Sequence, residues 1–186
     1  IIGNFEKVDI DEDGVLNEND LCGGTLSGLT VDGSGCAASQ KDTDGDGITD
    51  NLDQCENTPS DAQIITSSGC STPVSSKSPN GITIVASENA QIGMTEIIDG
   101  NTYTVVSEEQ LREMINNNEN ISYVITSKIT DMEFLFLEKE INGNITHWDT
   151  SNVTNMKGMF LSTDFNQNIS SWDTSSVTTM QGMFIS

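Results

Sequence analysis

Two stretches of the chain place oxygen-bearing side chains at one repeated spacing. Asp9, Asp11, Asp13, Asn17 and Asp20 stand at positions 1, 3, 5, 9 and 12 of the first, and Asp42, Asp44, Asp46, Asp50 and Asp53 at the same positions of the second. Gly14 and Gly47 occupy position 6, and Val15 and Ile48 position 7. Such a set is what Ca²⁺ requires: roughly six to eight hard oxygens, a glycine for the sharp turn and a backbone carbonyl from position 7. Without a cation, five such side chains around one point repel one another. A solvated acidic linker is the plain alternative, and two copies 33 residues apart argue against it.

Elements must hold these loops, and the first part of the chain is poor in material for a core. Residues 1–70 carry 15 acidic and 2 basic side chains, the remainder 14 and 5. Leu, Ile, Val and Phe supply only 16 of the first 80 residues, a composition that buries too little apolar surface to fold unaided. Cysteines fill the gap. Cys22 and Cys55 follow the two loops at one offset, and Cys36 and Cys70 each follow a glycine. Four cysteines allow three connectivities. Cys22–Cys36 and Cys55–Cys70 are favoured because each closes a loop of about 15 residues, worth roughly 3 kcal/mol in the entropic account. Disulfides place the chain in an oxidising compartment. Zinc is the competing chemistry, but no CxxC or Cys/His spacing supports it.

The net charge of −22 leaves no basic surface for a phosphate backbone, so nucleic acid is excluded as a partner. One histidine and four cysteines already assigned to bridges leave little for nucleophilic catalysis, and the chain reads as a non-enzyme. No apolar run is long enough to span a bilayer. The start, IIGNFEKV, is neither an initiator methionine nor a signal peptide, so the sequence reads as a fragment or a processed piece.

The segment DTDGDGITDNLDQCENTPSDAQIITSSGC resembles a thrombospondin type 3 calcium repeat, whose pattern runs DxDxDGxxDxxDxC, then TP, then GC. DIDEDGVLNENDLCGGTLSGLTVDGSGC resembles a second copy, departing by Asn17 and by the lack of TP after its cysteine. The resemblance covers about residues 9–70. It implies calcium-wrapped spacers with little secondary structure, which in bacteria commonly separate surface domains, and it leaves room for further ions shared by Asp32.

After a Ser/Pro linker at 71–80, 81–85 and 102–106 read as strands, with Asp99-Gly100 as a tight turn before the second. Ser107 then caps a short helix, with Gln110 completing a capping box and Val106 and Leu111 forming a hydrophobic staple. From Thr126 the sequence repeats every 24 residues: 126–149, 150–173 and 174–186, identical at 11 of 24 positions and then at 9 of 13. The repeat aligns Ile129/Val153/Val177, Met132/Met156/Met180, Phe136/Phe160/Phe184 and Trp148/Trp172. Val153, Met156, Met159 and Phe160 have near-helical spacing, and 169–172 suits a short strand. Such ladders predict a solenoid, each coil burying its apolar edge against its neighbours. The fold class is thus mixed: irregular calcium- and disulfide-stabilised repeats over 1–70, a capping hairpin and helix over 81–125, and the solenoid over 126–186.

The stretch MF followed by FNQNISSWDTSSVTTM, with the lead-in GITIVAS…GNTYTVVSEEQLREMI, resembles the BspA-like bacterial surface proteins, a leucine-rich-repeat-related group. That resemblance, over about 81–186, implies that the solenoid is an α+β leucine-rich-repeat-like one, and it implies adhesion and surface display without catalytic residues. His147, replaced by Ser171 in the next repeat, reads as an exposed position, and the two tryptophans as packing. Asn120, Asn144, Asn152 and Asn168 begin N-glycosylation sequons, and because Asn144 and Asn168 are the same repeat position they read as pattern rather than modification. Val177, Met180, Met183 and Phe184 form an apolar edge that further repeats or another subunit should cover, with Ile1-Ile2-Gly3-Asn4-Phe5 a candidate for that contact. The expectation is a non-enzymatic bacterial cell-surface adhesin or appendage segment, with a calcium-rigidified stalk and a repeat domain that takes a protein or glycan ligand or further copies of itself. Alternatives are a self-assembling subunit of an extracellular filament or sheath and the spacer of a secreted enzyme.

Overall fold

The computed structural model describes residues 8–185, so the Ile1-Ile2-Gly3-Asn4-Phe5 segment lies outside the described residues. The chain divides into two units, Ile1–Thr72 and Pro73–Ser186.

Over its described residues the first unit has turns and bends in place of helices and strands. Its only ladder contacts among the described residues are two isolated antiparallel bridges, Val31↔Ala37 and Ile65↔Ser71. Side-chain hydrogen bonds to the backbone replace the missing secondary structure, as Asp and Asn do when they compete with helix and sheet. Two disulfides tie it, Cys22–Cys36 and Cys55–Cys70.

The second unit opens with strands β1 (Ser75–Lys77) and β2 (Ile84–Ala86), paired antiparallel. Strands β3 (Thr95–Ile98), β4 (Asn101–Val105) and β5 (Val124–Ile125) form a second sheet in the order β3-β4-β5. Strand β1 thus lies inside the stretch read as linker. Asp99 and Gly100, with φ of 51° and 80°, turn the chain tightly between β3 and β4. Helix α1 (Glu108–Asn116) begins at the Ser107 cap with its capping box in place and buries Leu111 and Ile115. Strand β3 was not foreseen: Thr95-Glu96-Ile97-Ile98 lacks alternation, and it forms because the turn delivers it to β4.

The repeats correct the expected architecture. Among the described residues, no helix and no strand lies beyond β5; units 126–149, 150–173 and 174–186 consist of turns linked by the isolated parallel bridges Asp131↔Asn155 and Asn155↔Thr179. The α+β leucine-rich-repeat-like solenoid is therefore not the fold, which is a small, mostly β unit with one helix. The reason is local. Asp131, Asn144, Asp149, Asn155, Asn168 and Asp173 each accept the N–H two residues ahead, closing side-chain turns that neither helix nor strand can carry. Phe134, Glu138, Gly158, Ser162 and Gly182 take left-handed φ values, which end any helix that Val153, Met156 and Met159 might begin. The 169–172 segment is likewise a turn.

The 24-residue register is kept by other means. Backbone bonds such as Thr154 N–H to Thr130 O and Thr178 N–H to Thr154 O join equivalent positions at 2.8 Å. Phe136 stacks on Phe160 and Phe160 on Phe184 at centroid distances of 5.6 and 5.5 Å, and Trp148 stacks on Trp172 at 6.3 Å. With Leu111, Ile115, Ile121, Met132 and Met156 the rings of Phe136, Phe160, Trp148 and Trp172 form one core. Arg112 clips α1 to the first repeat through the carbonyls of Asp131 and Glu133.

His147 is the second correction. It is 7 % exposed, with Nε2 3.1 Å from Val124 O and its ring edge-to-face with Tyr103. Its cover comes from β4 and β5, outside the repeats, so comparison with Ser171 could not reveal it.

Two outcomes follow from this packing. Truncating Phe160, which is 1 % exposed between two rings, to alanine should cost about 3–5 kcal/mol in chemical denaturation of the second unit. Burial holds His147 below its ordinary pKa of 6.5, outweighing the Val124 carbonyl that raises it. The unfolded chain then binds the extra proton first, so stability is full above about pH 6.5 and falls as the pH drops toward the folded value. Denaturation of the calcium-loaded chain between about pH 7.5 and 5.5 should show that slope, and His147→Gln should flatten it.

Candidate metal centre

Each acidic loop folds back on its own first aspartate. Asp9 Oδ2 accepts Gly14 N–H at 3.0 Å, and Asp42 Oδ2 accepts Gly47 N–H at 2.8 Å. Position 6 must bring its N–H to the start of the loop, and Gly14 and Gly47 do so with φ of 98° and 92°. Asp13 and Asp46 each accept the N–H of position 7, Val15 and Ile48. Position 9 braces the loop from outside: Asn17 Oδ1 accepts Ile10 N–H at 2.9 Å and Asp50 Oδ1 accepts Thr43 N–H at 2.8 Å. One oxygen does this work, so the amide of Asn17 serves as well as a carboxylate. Thr43, through its hydroxyl and then its N–H, together with nearby Lys41, holds the Asp50 carboxyl below the usual range.

This folding gathers carboxylates. Asp9, Asp11 and Asp13 each offer an oxygen within 4.8 Å of the others, and Asp42, Asp44 and Asp46 do the same. Asp11 Oδ2 receives the N–H groups of Gly24 and Thr25 at 2.6 and 2.8 Å, which lower its pKa and keep it charged inside the cluster. Asp44 Oδ2 receives Thr58 N–H at 2.7 Å. The oxygens turned inward are left without partners: Asp9 Oδ1, Asp11 Oδ1, Asp13 Oδ2 and Asp46 Oδ2 are buried and accept no hydrogen bond. Orphaned buried carboxylate oxygens cost free energy unless a cation completes them. Hard oxygens at this density fit Ca²⁺.

Asp20 and Asp53 lie beside the triads without being among the carboxylates that gather within 4.8 Å. Each accepts the N–H of the cysteine two residues on, at 2.8 and 2.7 Å, and each lies against a glycine of the Gly-Cys pair. A Cβ on Gly35 would meet Asp20 Cγ at 2.8 Å and Asp13 Oδ2 at 3.1 Å; one on Gly69 would meet Asp53 Cγ at 2.6 Å and Asp46 Oδ2 at 3.2 Å. Asp32 has partners of its own. The Ser34 hydroxyl and the Lys41 ammonium, at 2.6 and 3.0 Å, hold its carboxyl far below the usual range and so keep it charged.

Sequence reasoning missed two residues of the loops' support. Thr25 and Thr58, 3 % and 6 % exposed, donate their hydroxyls to the carbonyls of Gly35 and Gly69 and thereby latch each cysteine segment across its disulfide. The signal is present as Cys-x-x-Thr in both copies, since in the first Leu26 replaces only the proline of the Thr-Pro pair. The expected apolar edge is divided. Met183 is 5 % exposed and Val177 packs on the core, whereas Met180 and Phe184 are 42 % and 60 % exposed.

Residues 31–63 match the thrombospondin type 3 repeat family, and residues 106–186 match a family described as Mycoplasma protein of unknown function, DUF285. No curated protein and no solved structure matches the chain. The first acidic loop precedes the matched span, so its likeness to the second rests on the shared hydrogen bonds above. Among the described residues, no helix is long and apolar enough to cross a membrane.

Gly35→Ala and Gly69→Ala should each weaken metal binding at their own loop, because a Cβ displaces Asp20 or Asp53 and φ of 78° is strained for alanine. Terbium luminescence of the two variants, titrated with calcium, would show one site lost at a time. Unchanged titrations would remove the two aspartates from the centres.

Proposed function

We propose that the chain is a non-enzymatic extracellular segment in which calcium and two disulfides stiffen the first unit as a spacer, and the second unit serves binding at a bacterial cell surface. The observation that carries the calcium part is the set of inward, unpartnered carboxylate oxygens at Asp9, Asp11, Asp13 and Asp46. Calcium at Asp9/Asp11/Asp13 and Asp42/Asp44/Asp46 would supply the missing partner and cancel repulsion that the sparse apolar residues of this unit cannot offset. The disulfides support an oxidising compartment. The DUF285 match and the resemblance to BspA-like repeats support surface display.

Assembly with further copies is the second reading. Phe184 favours it, since one face of its ring stacks on Phe160 while the residue remains 60 % exposed.

Removing calcium with a chelator and reducing the disulfides should open residues 8–72 to protease while leaving a resistant fragment beginning near Pro73, because only the second unit has a core independent of metal. Loss of that fragment on chelation alone would contradict the assignment of calcium to a separate spacer.

A further inference from the structure

A groove of about 560 Å³ opens between β4, β5 and α1. Alternation along β4 puts Thr102 and Thr104 on this side, while Tyr103 turns to the other and packs on Tyr123 and His147. Val106, Val124 and half-buried Met114 give the groove an apolar floor. Its volume lies in the range of sites that take a side chain or a small ligand.

The charge of the groove is one-sided. Glu113 and Glu119 line it, and no lysine or arginine does. The neighbouring cations are committed elsewhere: Arg112 to Glu108 and the carbonyls of Asp131 and Glu133, and Lys139 to Asn116. Glu113 makes no ion pair or side-chain hydrogen bond among the described residues, and Glu119 accepts only the Asn117 amide at 3.1 Å. Two uncompensated carboxylates over an apolar floor repel anions and attract cations. They suit a long aliphatic stem ending in a cation, with the stem on Met114, Val106 and Val124 and the head at the carboxylates.

We infer that this groove binds a lysine or arginine side chain presented by a partner polypeptide. The inference rests on the second unit being the binding part of the chain, and it is independent of the calcium loops. The probe is a blocked pentapeptide, Gly-Gly-Lys-Gly-Gly, and its Nε-acetyl-lysine counterpart, titrated into the isotopically labelled chain at saturating calcium and followed by NMR. The expected result is shifts concentrated at 102–106, 110–114 and 119–124, lost with the acetylated peptide. Glu113→Gln should weaken binding about threefold or more, while Glu109→Gln, an equal charge change outside the groove, should leave it unchanged. Shifts spread over acidic surfaces, equal effects of the two variants, undiminished binding of the acetylated peptide, or no binding would each overturn the inference. Shifts confined to the acidic loops would do so too, and would bear on the calcium sites separately.

Discussion

Mutual repulsion among carboxylates is the constraint on which the first unit depends. Three acids within 4.8 Å of one another, twice over, raise the energy of the folded chain unless a cation sits among them. Everything around the triads serves to hold them there. The position-6 glycines close the loops, Asn17 and Asp50 brace them, Thr25 and Thr58 latch the following segment, and the disulfides limit how far the unfolded chain can separate those parts. The unit has very few buried apolar side chains: Cys36, Ala37 and Ile64 are the buried hydrophobics among its described residues. Its order therefore comes from polar contacts and the two disulfides.

The second unit solves the same problem by different means. Among the described residues its repeats also lack helices and strands, yet they place large apolar side chains at identical positions, so that rings stack on rings and one core runs from α1 through Met183. Asx-type turns satisfy backbone N–H groups at each corner, and bonds between equivalent residues fix the register. Among the described residues no cluster of three metal-ligating side chains lies in this unit, which is why the two units should respond differently to chelation.

The legibility of the sequence divides along physical lines. The loops were readable because ligand spacing is a local property, and the helix because its cap and staple lie within a few residues of one another. The repeat period was readable as well, but the secondary structure inside it was not. Near-helical spacing of Val153, Met156 and Met159 signals a buried face, whereas the backbone follows the turn-forming Asn155 and the left-handed Gly158 between them. His147 shows the other limit: a residue is buried by whatever packs on it, and here that is Tyr103, 44 positions earlier in the chain.

The central claim is that the two triads are cation sites. Anomalous scattering from crystals of the disulfide-intact chain grown in calcium tests it most directly. The account predicts a calcium peak among Asp9, Asp11 and Asp13 and another among Asp42, Asp44 and Asp46. Ordered loops with their carboxylates gathered as described and no peak at either place, at millimolar calcium, would contradict it.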